Sequence, residues 1–137
     1  MGNVTVHNDF DDVLNNLRGE FLTDARDRLD VIERAVFEAS DDTITVLRRE
    51  THNIKGMAGT FGFPMVGLLA HRLEDYAAQI KLLDDDNRHD IDVFLRLMQD
   101  ILQVGHDPDE ADAAALIRSL PVRAEAESAV PIEVLLV

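Results

Sequence analysis

Apolar residues recur at steps of three and four along most of this chain, and that spacing constrains its fold more than any other feature. In the first stretch they are Phe10, Leu14, Leu17, Phe21, Ala25, Leu29, Ile32 and Val36. A period near 3.6 residues places such positions on one face of an α-helix. The spacing predicts a long amphipathic first helix from Phe10 onward, with Gly19 as a candidate break.

Two further helices are predicted to form an antiparallel hairpin. The second helix begins after Ser40-Asp41-Asp42-Thr43, whose side chains can cap it, and it extends to Phe61. Gly62 suits the left-handed end of that helix, and Pro64 suits the first turn of a third. The connection between them is therefore very short, and the two helices run antiparallel.

The third helix is predicted to end before the polar run 84–89, which we interpret as a solvated loop. A fourth helix ends near Gly105, and Asp107-Pro108 is predicted to cap a short fifth helix that reaches Leu120-Pro121. Short connections between amphipathic helices favour antiparallel neighbours. The predicted fold is all-α: an antiparallel four-helix bundle with an additional short C-terminal helix.

The charge balance narrows the classes of partner. The chain has 137 residues, with 27 acidic and 13 basic side chains and a formal net charge of -14. This balance repels phosphate backbones and anionic lipid heads, which argues against nucleic acid and membrane surfaces as partners. There is no cysteine, no signal-peptide pattern and no apolar run long enough to span a bilayer. We expect a cytoplasmic protein.

Glycines accompany a histidine and a lysine on one face of the second helix. Gly56 and Gly59 are predicted inside this helix, where each costs about 0.5–1 kcal/mol relative to alanine. They follow His52 by four and seven residues and share its face with Lys55. We interpret the two glycines as a flat clearing beside the imidazole. For Gly59 the alternative is close helix packing through a small residue.

The hairpin brings a second set of polar residues level with the first. His52 precedes the predicted turn by about as many residues as Glu74 follows it, and Lys55 and His71 are likewise level. A carboxylate that accepts the proton of one imidazole nitrogen makes the other a better nucleophile. Lys55 can neutralise an incoming phosphoryl group. Because the chain lacks a glycine-rich phosphate loop, the phosphoryl donor must be another protein or domain.

Three quoted stretches carry a resemblance to a known family. His52-Asn53-Ile54-Lys55-Gly56, followed by Ala58-Gly59-Thr60-Phe61-Gly62-Phe63, strongly resembles the histidine-containing phosphotransfer (HPt) family. The likeness is closest to the N-terminal phosphotransfer domain of the chemotaxis histidine kinase CheA, whose later histidine and glutamate are matched by His71-Arg72-Leu73-Glu74. Met57 departs from that branch, which usually has a small residue there.

The resemblance implies specific roles and partners. His52 would accept a phosphoryl group from a histidine kinase catalytic domain and pass it to an aspartate of a response-regulator receiver domain. Lys55, His71 and Glu74 would form the supporting network, and Arg48, Gly56 and Gly59 would form the docking surface. The domain would bind no cofactor or metal of its own, since ATP and magnesium belong to the partners. It would be a monomeric carrier and not an enzyme, although its parent protein could be a CheA-type kinase.

The chain is predicted to divide into an N-terminal tail at 1–9, the HPt bundle at 10–120, and a linker with a β-type tail at 121–137. The apolar run 131–137 resembles the first strand of a receiver domain, cut at a domain boundary. The alternative is a strand that pairs with a neighbouring molecule or lies on the bundle.

Two other functions compete with phosphotransfer. In the first, His52, His71 and Glu74 are ligands of a metal-binding bundle. Di-iron bundles, however, use Glu-x-x-His on two helices with the ligands pointing into the core, whereas this chain has the reverse order on a surface face. In the second, the chain is a phosphorylation-independent interaction or dimerisation domain whose histidine is incidental.

Overall fold

Five helices make up the described part of the chain. The computed structural model describes the backbone of residues 2–121 and the side chains of residues 9–121. The helices are α1 (Gly2–Glu38), α2 (Thr43–Ala58), α3 (Pro64–Ala78), α4 (Asp85–Val104) and α5 (Glu110–Arg118). No strand occurs within residues 2–121, so the predicted all-α fold is confirmed. The β-type tail lies outside the described residues.

The first four helices form a closed ring around one core. α1 packs against α2 and α4, and α3 packs against the same two helices. α2 and α4 therefore occupy diagonal corners of the bundle. The predicted apolar faces supply the core, whose largest fully buried side chains include Leu29, Leu47, Leu69, Leu73, Phe94 and Met98. α5 contributes only partly buried residues that cover one part of this core.

The first helix departs from its prediction at its N-terminal end. α1 begins at Gly2, eight residues before Phe10, and Gly19 does not break it. The predicted apolar face is buried from Phe21 to Val36, but Phe10, Leu14 and Leu17 are largely exposed. The Arg18 guanidinium donates to the carbonyl oxygen of Gly105 at the end of α4. The exposed apolar residues of α1 therefore lie before Arg18, which is where α1 reaches the C-cap of α4.

The turn between α2 and α3 is built by hydrogen bonds at its glycine. Gly62 has φ +87°, as predicted for a left-handed helix end. The Phe63 N–H donates to the Ala58 carbonyl at 2.8 Å and the Gly62 N–H to the Gly59 carbonyl at 3.4 Å, which is the pattern of a Schellman cap. Pro64 occupies the first turn of α3, as predicted. These bonds fold α3 back along α2 as an antiparallel neighbour.

Three local predictions are wrong. Gly59 does not lie inside α2 but is its C-cap, with helical φ and ψ of -63° and -38°. The polar run 84–89 is not a loop, because Asp84 and Asn87 form a capping box that starts α4 there. Asp109, and not Asp107, caps α5. The Asp107 carboxylate instead accepts the Met65 N–H at the start of α3, at 2.7 Å.

A glycine of α3, Gly67, faces the end of α2 at short distance. A Cβ added to Gly67 would meet the Ala58 Cβ at 3.5 Å and the Lys55 carbonyl oxygen at 3.9 Å. Those distances are ordinary van der Waals contacts, so a methyl group fits, whereas a larger side chain would press on α2. By contrast, a Cβ added to Gly56 would meet nothing within 4 Å. The two helical glycines therefore have different reasons to be small.

Substitutions at these two glycines should have opposite effects on stability. Gly67→Leu should lower the free energy of unfolding by about 1–3 kcal/mol, because its side chain forces α2 and α3 apart. Gly67→Ala should be neutral or stabilising by up to about 1 kcal/mol, because it fits and favours the helix. Gly56→Leu is the matched control and should unfold at no lower urea concentration than the parent protein. Equal losses in Gly67→Leu and Gly56→Leu, measured by urea titration, would contradict the close approach at Gly67.

Candidate functional site

The imidazole of His52 is accessible and held on one side. Its side chain is 69% exposed, and Nδ1 lies 3.2 Å from Oε2 of Glu74 on the neighbouring helix α3. An ionised carboxylate can only accept a hydrogen bond, so this contact assigns the proton to Nδ1. In that neutral tautomer Nε2 keeps its lone pair. The site therefore presents an imidazole with a defined nucleophilic nitrogen.

Glu74 is shared between two partners. Its Oε1 accepts a hydrogen bond from Lys55 Nζ at 2.6 Å while its Oε2 faces His52. The hydrogen bond from Lys55 is the main reason that the pKa of Glu74 lies below its ordinary value, and the contact with His52 acts in the same direction. Partial burial of the carboxyl opposes this shift. The carboxylate is consequently ionised at neutral pH and can orient the imidazole.

The position of this network follows from the hairpin. His52 and Lys55 are three residues apart on α2, and Glu74 stands two turns after Gly67 on α3. Because Gly67 lets the helices approach closely, a short glutamate side chain spans the gap to both partners. The antiparallel run from the Gly62 turn brings Glu74 level with His52, and Lys55 lies about one turn nearer the connection.

His71 does not join this network in the structure. Its Nε2 lies 3.4 Å from Oδ2 of Asp75, one turn further along the same helix. The side chain is 52% exposed. Of the four predicted network residues, the structure thus brings His52, Lys55 and Glu74 together. His71 contacts the carboxylate of Asp75 instead.

The predicted docking residues line one exposed strip of α2. Arg48, Gly56 and Gly59 are all exposed, and Arg48 precedes His52 by one turn. A Cβ added to Gly56 or Gly59 would meet no atom within 4 Å, so neither glycine serves close packing between helices. This result removes the packing alternative for Gly59. We use the term glycine clearing for the open surface at Gly56 and Gly59.

Two residues that shape the site are absent from the predicted set. Gly67 lets α3 lie close to α2. The feature of the sequence that could have indicated this is a glycine within the third helix, which the structure places against the small residue Ala58 of α2. Asp75 pairs with His71, and its signal was a carboxylate four residues after a histidine. Helical spacing alone could have identified Asp75, whereas Gly67 needed knowledge of which faces meet.

Searches for a metal centre and for a membrane span give negative results. Among the described residues, no group of three or more His, Asp or Glu side chains could hold a metal ion. Within the same part of the chain, no helix is both long enough and apolar enough to cross a membrane.

A family model identifies the chain. Residues 16–120 match the model of the Hpt domain, which is more than half of the sequence. The chain belongs to the Hpt family. Searches of curated proteins and of solved structures each found no significant match.

Membership of the Hpt family defines a general function. Hpt domains take part in histidine phosphotransfer in two-component signalling, where they interact with kinases and with response regulators. They carry the phosphoryl group between partners and are not themselves catalytic. The chain is therefore a phosphocarrier domain.

The charge state of Glu74 should depend on Lys55. In Lys55→Ala the pKa of Glu74 should rise toward its ordinary value of 4.5, because the main cause of its lowering is removed. Since folding lowers this pKa, the pairing stabilises the fold above pH 4.5 and its contribution is lost as the pH falls through the folded value. The measurement is a carbon-detected NMR titration of the glutamate carboxyl groups. Lys81→Ala, which removes the other lysine, is the control and should leave Glu74 unchanged; an equal response to both variants would contradict the assignment.

Proposed function

We propose that His52 is the residue that carries the phosphoryl group. It accepts this group from a histidine kinase catalytic domain and passes it to an aspartate of a receiver domain. The observation that carries the proposal is the exposed imidazole of His52 with Nδ1 held by the ionised carboxylate of Glu74. His89 and His106 are also exposed, but within the described part of the chain no carboxylate contacts His89, and the ring of His106 contacts a backbone carbonyl oxygen.

The proposed transfer follows from this tautomer. Nε2 of His52 attacks the γ-phosphorus of ATP bound to the kinase, a P–N bond forms, and the P–O bond to ADP breaks. The proton on Nδ1 stays in place, so the product is a phosphorylated imidazolium whose positive charge faces Glu74. When the receiver aspartate attacks the phosphorus, the P–N bond breaks and the neutral imidazole returns with its Nδ1 proton. No proton needs to leave the site in either step.

Lys55 is proposed to act mainly through Glu74. Its ammonium group donates to that carboxylate at 2.6 Å, which keeps the carboxylate ionised and fixes its position against the imidazole. An ammonium carries three N–H donors, so the same group can also face an oxygen of the phosphoryl group. His71 and Asp75 are proposed to support the network from the next turn of α3.

The receiver is proposed to dock over the glycine clearing, with Arg48 at one end. The openness at Gly56 and Gly59 supports this step, because a partner backbone or side chain can approach the imidazole without displacing anything. The partner domains would supply ATP and magnesium, and the chain would bind neither on its own.

The wider setting is also part of the proposal. The resemblance of the motifs around His52 and His71 to CheA-type phosphotransfer domains supports a chemotaxis-type system and a CheA-type parent kinase. A cytoplasmic, monomeric bundle fits the acidic composition and the absence of cysteine.

Phosphorylation should occur on His52 alone. After incubation with phosphoramidate, or with ATP and a CheA-type catalytic domain, intact-mass and site-mapping measurements should show one acid-labile phosphate on His52. His52→Gln should abolish it, because no other described histidine has a carboxylate from a neighbouring helix on its ring. His89→Gln is the matched control, since it removes another exposed imidazole, and it should be phosphorylated like the parent protein.

The same experiment tests the competing function. No phosphate from either donor, on protein shown to be folded by circular dichroism, would contradict the assignment of His52. The chain would then be a phosphorylation-independent interaction or dimerisation domain. A phosphate that persists in His52→Gln would move the phosphoryl site to another residue.

Filling the glycine clearing should slow transfer to the receiver. Gly56→Leu adds a side chain where nothing lies within 4 Å, so it should fold normally yet obstruct the docked partner. Each variant is first loaded with phosphoramidate, and transfer to a receiver is then followed from equal amounts of phosphorylated protein. We expect a loss of about tenfold or more, the order of one unfavourable contact in an interface. Gln103→Leu, on the exposed surface of the diagonal helix α4, is the control. Transfer at the parental rate by Gly56→Leu would exclude the clearing as the docking site.

A further inference from the structure

The strip around His52 belongs to the only described helix with a net positive charge. α2 carries three basic residues and one acidic residue. α1 carries nine acidic and four basic residues, and α4 five and two. α3 and α5 each carry two acidic residues and one basic residue. α2 is thus a positively charged helix on a protein whose formal net charge is -14.

The one carboxylate of α2 is turned away from this region. Glu50 is 7% exposed, and its Oε2 accepts the Arg28 guanidinium of α1 at 2.8 Å. Its Oε1 faces Arg49 at 3.2 Å, so Arg49 is drawn back toward the same buried group. Glu50 therefore pairs with Arg28 and Arg49 at the α1–α2 interface and not with Arg48.

Arg48 differs from the other cations of the site. Lys55 is bound to Glu74, and Arg49 is bound to Glu50. Arg48 is exposed and forms no ion pair within 4 Å with any of the described residues. It precedes His52 by one turn and Gly56 by two, so it lies on the edge of the surface where a partner would reach the imidazole.

We propose that Arg48 is a specificity residue that selects receiver domains with carboxylates beside the phosphoacceptor aspartate. The proposal rests on the function proposed above and names the chemistry of its partner. Magnesium offsets the charge of the receiver carboxylates that hold it, whereas further carboxylates beside the phosphoacceptor aspartate make the docking face negative. The formal net charge of -14 repels such a face overall, whereas the basic residues of α2 attract it locally. The same net charge excludes nucleic acid as the occupant, because a polyanion extends beyond one helix face.

The test compares charge reversal at two exposed arginines. Arg48→Glu and Arg96→Glu change the net charge equally, but Arg96 lies on the diagonal helix α4, where its side chain is 74% exposed and paired with Asp92. Each variant is loaded with phosphoramidate, the loaded fraction is measured, and equal amounts of phosphorylated protein are mixed with a receiver. The receiver used has exposed carboxylates around its phosphoacceptor aspartate and outside its metal site. A second form of it has those carboxylates changed to amides.

Local steering predicts a distinct pattern of rates. In about 20 mM salt, Arg48→Glu should slow transfer to the acidic receiver by about tenfold and Arg96→Glu by less than about twofold. In about 0.5 M salt, where charges are screened within a few ångströms, the difference should fall below about twofold. Transfer from Arg48→Glu to the amide form should be affected little, and changing one receiver carboxylate to lysine should restore much of the lost rate.

Several results would overturn the proposal. Equal slowing by Arg48→Glu and Arg96→Glu would mean that overall charge, and not the α2 strip, governs association. If transfer from Arg48→Glu stays slow in high salt or with the amide receiver, Arg48 acts through the stability of the fold or through an uncharged contact, and not through its charge. Slower loading from the kinase with unchanged transfer to the receiver would make the kinase the partner of Arg48. Failure of the parent protein to be loaded by phosphoramidate would contradict the assignment of His52 and not the charge of the strip.

Discussion

The shared carboxylate of Glu74 is the interaction on which the site depends. A histidine on a bundle surface is ordinarily free to rotate and to exchange its proton between two nitrogens. Glu74 removes that freedom by accepting from Nδ1, and it remains available to do so because Lys55 holds its other oxygen and lowers its pKa. Three side chains from two helices thus define one tautomer. The turn at Gly62 and the contact at Gly67 are features of the backbone. They nevertheless determine how far Glu74 of α3 lies from His52 and Lys55 of α2.

Much of this arrangement could be predicted from spacing, because helical periodicity is a local property. The hairpin, the level positions of His52 and Glu74, and the open face at Gly56 all follow from counting residues along two antiparallel helices. What counting leaves open has a different origin. His71 was expected level with Lys55, but counting gives height along a helix and not which carboxylate a side chain contacts, and His71 contacts Asp75 on its own helix. Similarly, the start of α4 was misplaced because Asp84 and Asn87 resemble loop residues until their capping bonds are formed.

The charges of the protein are divided between stability and recognition. Arg18 and Arg26 of α1 donate to carbonyl oxygens at the end of α4, and Arg28 is bound to Glu50, so these cations join helices to one another. Glu50 is ion-paired where α2 meets α1, which leaves the exposed face of α2 with basic groups only. The exposed Arg48 forms no ion pair within 4 Å with any described residue. The positive strip is therefore a consequence of where the single acidic residue of α2 is buried.

Phosphorylation of His52 should change which of these cations attracts the receiver. In the free domain, the charges of Lys55 and Glu74 offset each other. A phosphoryl group adds up to about two negative charges, of which the imidazolium compensates one. The loaded face is then more negative just when it must meet the carboxylates of a receiver. Lys55 is already engaged with Glu74, so the attraction that remains for the partner comes chiefly from Arg48. A residue one turn from the chemistry would thus govern the rate of encounter, while the histidine and its carboxylate govern the transfer itself.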